Sequence, residues 1–296
     1  PWNYPLTLGI SDAIPALLAG NAVVSKPDSS TPFTSLLVFK LLFDAGLPRN
    51  LVQLTTGSGR VVGSAISEQC DYLMFTGSTK TGKTLGETMG RRLVGFSAEL
   101  GGKNPLIVAS DADIEKTARG AVEACFSNTG QLCVSVERIY VEQGSYEEFL
   151  TKFVELTKAQ SIGPGFDWET QVGSLASADQ LKTVEEFVED AREKGATIAA
   201  GGEARPDLGP YFYEPTILTD VPENARLLND EVFGPVVYVQ PVSDLQEAVK
   251  LANDTPYGLN ASVWADPSTG WDVAPKIAAG SVGINDGYAA AWTAIG

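Results

Sequence analysis

A carboxylate and a thiol lie in two short glycine-containing segments, and enzymes use both kinds of side chain for catalysis. Glu99 opens the segment Glu-Leu-Gly-Gly-Lys, and Cys133 ends the segment Gly-Gln-Leu-Cys. The chain contains no histidine, so it cannot supply the imidazole of a cysteine protease, a Ser-His-Asp hydrolase or a His-ligated metal site. If Cys133 is a nucleophile, a carboxylate must handle its proton, and Glu99 is the candidate general base.

The other two cysteines predict no further chemistry. Cys70, Cys125 and Cys133 are too few and too irregularly spaced for a disulfide framework or a zinc site, so we expect reduced thiols and no metal. Cys125 lies in a helix-like apolar run and is predicted to fill the core. Cys70 is also predicted to be structural.

The charge balance excludes some partners. The 296 residues carry 21 basic and 37 acidic side chains, a net charge of −16 with an isoelectric point near 4.4. Such a field repels nucleic acid and anionic membranes. No apolar run approaches the roughly 20 residues of a membrane span, and no signal peptide precedes the first strand. We therefore expect a cytoplasmic protein without nucleic-acid or membrane partners.

Strand-like and helix-like segments alternate along the chain, which predicts an α/β fold with a parallel sheet. In the first hundred residues the predicted strands are 22–25, 51–54 and 72–75, and the predicted helices are 32–45 and 61–68. Beyond them the predicted strands are 105–108 and 138–141, and the predicted helices are 114–126, 146–159 and 179–194. The segment 195–210 is predicted to be a loop-rich connection.

One segment matches a nucleotide-binding motif letter for letter. Residues 77–84 read Gly-Ser-Thr-Lys-Thr-Gly-Lys-Thr, the G-x-x-x-x-G-K-[ST] pattern of a P-loop, and they follow the predicted strand 72–75. Asp111, after the strand 105–108, resembles a magnesium-holding aspartate. A P-loop nucleotide hydrolase is therefore the alternative hypothesis. The nearby segment 57–63 has the spacing G-x-G-x-x-x-G and fails the dinucleotide fingerprint.

Six segments resemble motifs of the aldehyde dehydrogenase superfamily, in the order in which that family has them. They read PWNYP at 1–5, KPDS at 26–29, FTGST at 75–79, ELGGKNP at 99–105, GQLC at 130–133 and EVFGPV at 231–236. The segments 130–140 and 285–292 are most similar to bacterial succinate-semialdehyde dehydrogenases. The other five motifs have no place in a P-loop protein, so FTGST is interpreted as the family's own phosphate-approach motif.

The resemblance implies two domains. Residues 1–99 would be part of a Rossmann-like parallel-sheet cofactor domain, incomplete at its N-terminus, and residues 100–296 a second α/β catalytic domain, truncated at its C-terminus. The chain begins and stops within the span of the family, so we expect an internal fragment of a protein that is a homo-oligomer at full length.

The resemblance also implies a reaction. Cys133 would attack an aldehyde, with succinate semialdehyde the leading substrate, and the Asn3 amide and the Cys133 backbone N–H would stabilise the oxyanion. Loss of hydride leaves a thioester on Cys133, which water hydrolyses with Glu99 as base. Relatives that pass the acyl group to coenzyme A commonly lack this glutamate, so Glu99 favours a carboxylic acid product. A catalytically silent fragment or a binding scaffold is a further alternative.

The implied cofactor is NADP or NAD. The family position of Ser29 is often a glutamate that holds the ribose 2′-hydroxyl, so a serine with Lys26 nearby favours NADP, although Asp28 weakens this preference. Arg138 is interpreted as structural rather than as a binder of the substrate carboxylate. The predicted cofactor-binding residues are Trp2, Lys26, Ser29, Gly59, Gly63, Gly77, Ser78, Leu100, Glu231 and Phe233.

Overall fold

The chain forms two compact units, Pro1–Leu100 and Gly101–Gly296. The structure is a computed structural model that describes residues 1–165 and 167–287. Positions 288–292 of the segment 285–292 lie outside the described residues.

The first unit contains four short strands in two parallel pairs. Its helices are α1 (Thr7–Ile10), α2 (Ala13–Leu18), α3 (Pro32–Asp44), α4 (Ser64–Ser67) and α5 (Thr79–Arg92), with a π-helical turn over Gly59–Gly63. Its strands are β1 (Val23–Ser25), β2 (Val52–Leu54), β3 (Tyr72–Thr76) and β4 (Gly95–Glu99). Strand β1 pairs with β2, and β3 pairs with β4 in a register that places Thr76 opposite Glu99. Strand β4 and the short helices α1 and α2 were missed by the sequence prediction.

Local sequence signals determine where the helices of this unit begin and end. Helix α3 begins at Pro32, whose fixed φ and missing N–H suit the first helical position. Ser78 caps α5, its Oγ accepting a hydrogen bond from the Thr81 N–H at 3.3 Å. Leu93 ends α5 in the left-handed conformation, with φ 55°. The turn between β3 and α5 is therefore followed by a well-defined helix N-terminus.

As far as residues 101–165 and 167–287 show, the second unit is built on a seven-stranded sheet in the order β11-β10-β5-β6-β9-β8-β7. Its strands are β5 (Asn104–Val108), β6 (Val136–Glu142), β7 (Thr197–Ala200), β8 (Thr216–Thr219), β9 (Val236–Val242), β10 (Asn260–Trp264) and β11 (Ser281–Ile284). Its helices are α6 (Ile114–Phe126), α7 (Tyr146–Lys158), α8 (Ala178–Glu193), α9 (Leu245–Asn253) and α10 (Pro267–Val273). All neighbouring strands are parallel except β7, so the predicted α/β fold class is confirmed.

Helices cover both faces of this sheet, and its central strands β5 and β6 are therefore buried along nearly their whole length. All five residues of β5 are buried, as expected for a parallel strand covered on both faces. Ile107 belongs to one core cluster, whereas Leu106 and Val108 belong to another, because successive side chains point to opposite faces. The start of β5 and the start of β6 are thereby fixed next to each other.

The prediction that 195–210 is a loop-rich connection is wrong in its first part. Residues Thr197–Ala200 form β7, the antiparallel edge strand paired with β8. Its four residues are too few to show a strand period, and the glycines that follow, Gly201 and Gly202, have φ values of 66° and 98° and dominate the sequence signal.

Candidate active site

Cys133 lies in the loop that connects α6 to β6. Its neighbours Leu132 and Val134 are buried, whereas Cys133 itself is half-buried. The Asn104 side-chain amide donates to the Cys133 carbonyl at 2.8 Å and to the Ser135 carbonyl at 2.7 Å. Asn104 opens β5, so the start of that strand holds the main chain on both sides of the thiol. The sequence motif contains Asn104, but the sequence alone did not assign it a role.

The approach to Cys133 contains a rare backbone conformation. Asn128, Thr129 and Gly130 are all left-handed, with φ of 49°, 59° and 68°. A Cβ on Gly130 would lie 2.1 Å from the Gly234 carbonyl oxygen, so only glycine fits there. Gln131 anchors the turn by accepting from the Ala176 N–H at 2.8 Å and donating to the Asn128 carbonyl at 3.0 Å. Much of the GQLC motif is thus explained by the shape of the loop.

The three cysteines differ in surroundings, and Cys125 lies in the core as predicted. All are thiols, and Cys125 is buried in α6, where desolvation raises the pKa of its thiol well above the usual range. Such a thiol is a poor nucleophile at neutral pH. Cys70 is half-buried in the first unit. The described residues contain no group of three or more His, Cys, Asp or Glu side chains arranged to hold a metal ion.

Glu99 is the last residue of β4 in the first unit, and its side chain is exposed. Partial desolvation, followed by the negative charge of Asp12, raises the pKa of this carboxyl. A raised pKa suits a general base, because a base is most effective when its pKa lies near the working pH. The Glu99 carbonyl accepts a hydrogen bond from the Gly77 N–H at 3.0 Å. This bond joins the turn before α5 to Glu99.

The remaining predicted residues of the first unit lie after its strands or before α1. Lys26 donates to the Pro27 carbonyl at 2.7 Å, and the exposed Ser29 donates to the Gly57 carbonyl at 3.3 Å. Leu100 packs against α5, where a Cβ on Gly82 would lie 2.5 Å from its side chain. Trp2 and Asn3 are half-buried in the bend before α1.

The first unit fits an adenine dinucleotide in its local chemistry. Apart from the adjoining main chain, no atom lies within 4 Å of a Cβ built on Gly59 or on Gly63, which leaves open space beside the turn. At Gly77 a Cβ would lie 2.6 Å from the Phe75 ring, so only bare backbone fits between that ring and the start of α5. Exposed backbone at a helix N-terminus suits a phosphate.

The P-loop alternative has no structural support. In a P-loop the glycine-rich segment wraps a phosphate before the helix begins. Here α5 begins at Thr79, so Gly82, Lys83 and Thr84 lie inside the helix rather than in a loop.

Glu231 and Phe233 lie in the irregular segment before β9. Glu231 accepts the Gly102 N–H at 2.9 Å, and its carboxylate lies directly on the main chain, since a Cβ on Gly101 would be 2.2 Å from its Oε2. Burial and the charge of Glu137 raise the pKa of Glu231 to about 7, against the opposing effects of the Gly102 N–H and Lys103. The two glycines of the ELGGK motif are thus the surface on which this carboxylate rests.

Two charged residues beside this segment were not assigned a role from the sequence. Lys103 and Glu137 form a buried ion pair at 2.6 Å, with side chains 0% and 3% exposed. Glu137 also accepts the N–H groups of Val232 and Phe233. Lys103 is part of the ELGGK motif, and the available signal was a charged residue between a double glycine and the strand β5.

Arg138 has the predicted structural role. Its guanidinium is buried and donates to the main-chain carbonyls of Lys103 at 2.6 Å, Leu251 at 3.1 Å and Ala252 at 3.0 Å. It therefore ties β6 to the start of β5 and to the end of α9.

The fold and the two motifs define an α/β protein whose second unit presents a thiol on a shaped loop. The family model for the aldehyde dehydrogenase family matches residues 1–295, and the chain belongs to that family. It is 56% identical to a Mycobacterium tuberculosis protein named "Putative succinate-semialdehyde dehydrogenase (NADP(+)) 2", over 99% of this chain and 57% of that protein. It is 40% identical to betaine aldehyde dehydrogenase of Bacillus subtilis, over 97% of this chain and 60% of the relative. The chain thus spans about three-fifths of the length of these relatives.

Solved structures agree with this placement. An NADP-dependent enzyme of E. coli superposes with a TM-score of 0.94 at 39% identity, covering 97% of this chain and 60% of that one. The NAD+ complex of an aldehyde dehydrogenase from Bacillus cereus superposes with a TM-score of 0.93 at 38% identity, covering 97% and 59%.

Proposed function

We propose that this chain belongs to an enzyme that oxidises an aldehyde to its carboxylic acid, with NADP or NAD as cofactor. The observation that carries the proposal is the half-buried Cys133 thiol on a loop whose main chain is held by Asn104 and shaped by Gly130. An immobile nucleophile beside a fixed backbone N–H is what acyl chemistry requires.

The proposed reaction uses the chain's own residues in two stages. In the first, the Cys133 sulfur attacks the aldehyde carbon, and the Asn3 amide and the Cys133 N–H stabilise the oxyanion. The bound cofactor supplies a hydride acceptor. In the second stage, Glu99 takes a proton from water, which attacks the Cys133 thioester and releases the acid.

The proposed cofactor contacts divide between the units. In the first unit, Gly59 and Gly63 would lie beside the adenosine, and Gly77 and Ser78 would approach the phosphates. Trp2 and Leu100 are proposed as further contacts from this unit. Glu231 would accept from hydroxyls of the nicotinamide ribose, and Phe233 would contact the ring.

NADP is the proposed first choice of cofactor, and succinate semialdehyde is the proposed substrate. Ser29 and Lys26 offer a hydroxyl and a cation where a glutamate would repel a 2′-phosphate. The names of the mycobacterial relatives, which include NADP(+) and succinate semialdehyde, support both choices. We further propose a cytoplasmic homo-oligomer. Within the described residues, no helix is both long and apolar enough to span a membrane.

The deciding experiment replaces Cys133 by alanine in a chain of the relatives' length. With succinate semialdehyde and NADP we expect the wild type to reduce the cofactor and Cys133→Ala to lose turnover by at least about 1,000-fold, since the covalent route disappears. Cys70→Ala is the matched control and should keep normal turnover. Retention of turnover by Cys133→Ala would refute the assignment of the nucleophile.

A further inference from the structure

Glu137 is a buried carboxylate that the proposed reaction does not use. It lies on β6, four residues after Cys133, with its side chain 3% exposed. Its oxygens accept the Val232 N–H at 3.0 and 3.1 Å, the Phe233 N–H at 3.0 Å and the Lys103 ammonium at 2.6 Å. Burying a charged group costs free energy, which its hydrogen-bond and ion-pair partners must offset. A buried carboxylate with this many donors therefore indicates a specific arrangement of the groups around it.

The segment that Glu137 holds has no regular secondary structure of its own. Residues 231–234 belong to neither helix nor strand, and Phe233 has a φ of 56°, which is strained for a residue with a side chain. From the other side, Gln180 of α8 donates to the Val232 carbonyl at 3.1 Å and to the Phe233 carbonyl at 2.8 Å. Side chains therefore hold both the N–H and the C=O groups of this strained stretch.

Lys103 connects this stretch to the glycines that carry Glu231. Its side chain is fully buried and neutralises Glu137. It directly follows Gly102, whose N–H donates to the Glu231 carboxylate. The Glu137–Lys103 pair thus joins the main chain of residues 232–233 to the main chain on which Glu231 rests.

We propose that the Glu137–Lys103 ion pair is a positioning device that fixes Glu231 and Phe233 for the nicotinamide end of the cofactor. The inference rests on the proposed function, because it takes the cofactor contacts of Glu231 and Phe233 from there. Glu137 touches neither cofactor nor substrate in this scheme, and it acts through the two residues that do.

The test measures equilibrium binding of NADP and of 2′,5′-ADP, which lacks the nicotinamide half, to a chain of the relatives' length. For Glu137→Gln we expect the Kd for NADP to rise at least about tenfold, because hydrogen bonds to a charged group are lost. The Kd for 2′,5′-ADP should remain unchanged, since its proposed contacts lie in the first unit. General damage to the fold would weaken both ligands alike and would overturn the proposal.

A second variant keeps the test decisive if Glu137→Gln fails to fold. Glu137→Gln combined with Lys103→Met removes both buried charges, so the fold should be recovered while the NADP-selective loss persists. Normal NADP affinity in a folded double variant would overturn the proposal. Glu142→Gln is the matched control, because Glu142 ends the same strand and accepts the Ser110 N–H at 2.6 Å, outside the segment 231–234.

The same assay separates this proposal from the proposed function. If the wild type binds neither ligand, the proposed function fails and the inference falls with it. If the wild type binds NADP and Glu137→Gln binds it equally well, only the positioning role is refuted.

Discussion

At the scale of single residues, the environment of each carboxylate determines what it can do. Glu137 is buried and paired with Lys103, whereas Glu99 is exposed with a raised pKa, and Glu231 rests on glycine backbone with a pKa of about 7. The same functional group is therefore a buried ion-pair partner in one place and a carboxyl with a raised pKa in the other two.

Replacing Glu99 by glutamine tests the base role. Glutamine cannot take a proton from water, so we expect Glu99→Gln to accumulate the Cys133 thioester after one turnover and to slow steady-state hydrolysis by about 100- to 10,000-fold. Rapid-quench mass spectrometry would detect the acyl-enzyme. Glu87→Gln, at an exposed position on α5, is the control. Unchanged steady-state turnover in Glu99→Gln would contradict the assignment.

Replacing Glu231 by glutamine tests its titration. The folded pKa of about 7 lies above the ordinary glutamate value of 4.5, so the folded protein holds this proton more tightly than the unfolded chain does. Stability from this group is full below pH 4.5 and is lost as the pH rises to about 7. We therefore expect Glu231→Gln to gain about 3 kcal/mol relative to wild type between pH 4.5 and pH 8.

Urea unfolding of both proteins at several pH values measures this difference and cancels the titration of groups that the two share. Glu137 and Lys103 face Glu231 in both proteins, and so does Tyr257. A difference in unfolding free energy that does not change with pH would show that Glu231 does not titrate in this range.

At the scale of elements, the loop of Cys133 depends on its fit against the segment before β9. The hypothetical Gly130 Cβ at 2.1 Å from the Gly234 carbonyl leaves no room for a side chain. The loop before β6 and the segment before β9 therefore pack as one piece, with β6 and β9 adjacent in the sheet.

We expect Gly130→Ala to destabilise the protein by at least about 2 kcal/mol, because it adds left-handed strain and a backbone clash. Thermal unfolding would measure the effect. In the folded variant, the rate at which Cys133 is alkylated should also change. Gly144→Ala is the control, because nothing lies within 4 Å of its Cβ and its φ is ordinary. Equal melting temperatures for the two variants would contradict this account.

Elements with strong local signals were predictable from the sequence. Helix α6 was predicted to the residue, because Asp113 caps it and apolar residues follow with helical spacing. Strand β4 was not predicted, because its sequence Gly-Phe-Ser-Ala-Glu contains few β-branched or aromatic residues. No strand was predicted beyond residue 141, where β7 to β11 lie. The roles of Asn104, Gln131 and Glu137 were not predictable either, because each acts on a main-chain group far away in sequence.

At the scale of the whole chain, the two units differ in how much apolar surface they bury. The core of the first unit is small, with Ala13, Phe39 and Val52 at its centre, and its Phe33 and Leu93 are 80% and 92% exposed. The second unit has a large core on each face of its sheet. Apolar burial is the main source of stability, so the first unit has less of it to hold its strands.

We expect the main-chain amides of β1 and β2 to exchange with deuterium at least about 100-fold faster than those of β5 and β6, because regions with few buried apolar contacts open at lower free energy. Mass spectrometry of peptic peptides after timed labelling would measure the rates. Equal protection in the two sets of strands would show that this chain opens only as a whole.

The contact of Glu231 with the Gly101–Gly102 backbone has a spectroscopic consequence. The chain contains no histidine, so no imidazole titrates in the neutral range beside Glu231. A carboxyl group that is still half protonated at pH 7 should therefore give an isolated infrared carbonyl band. If the band disappears on addition of NADP, ligand binding has favoured the charged form of Glu231. This measurement needs no label.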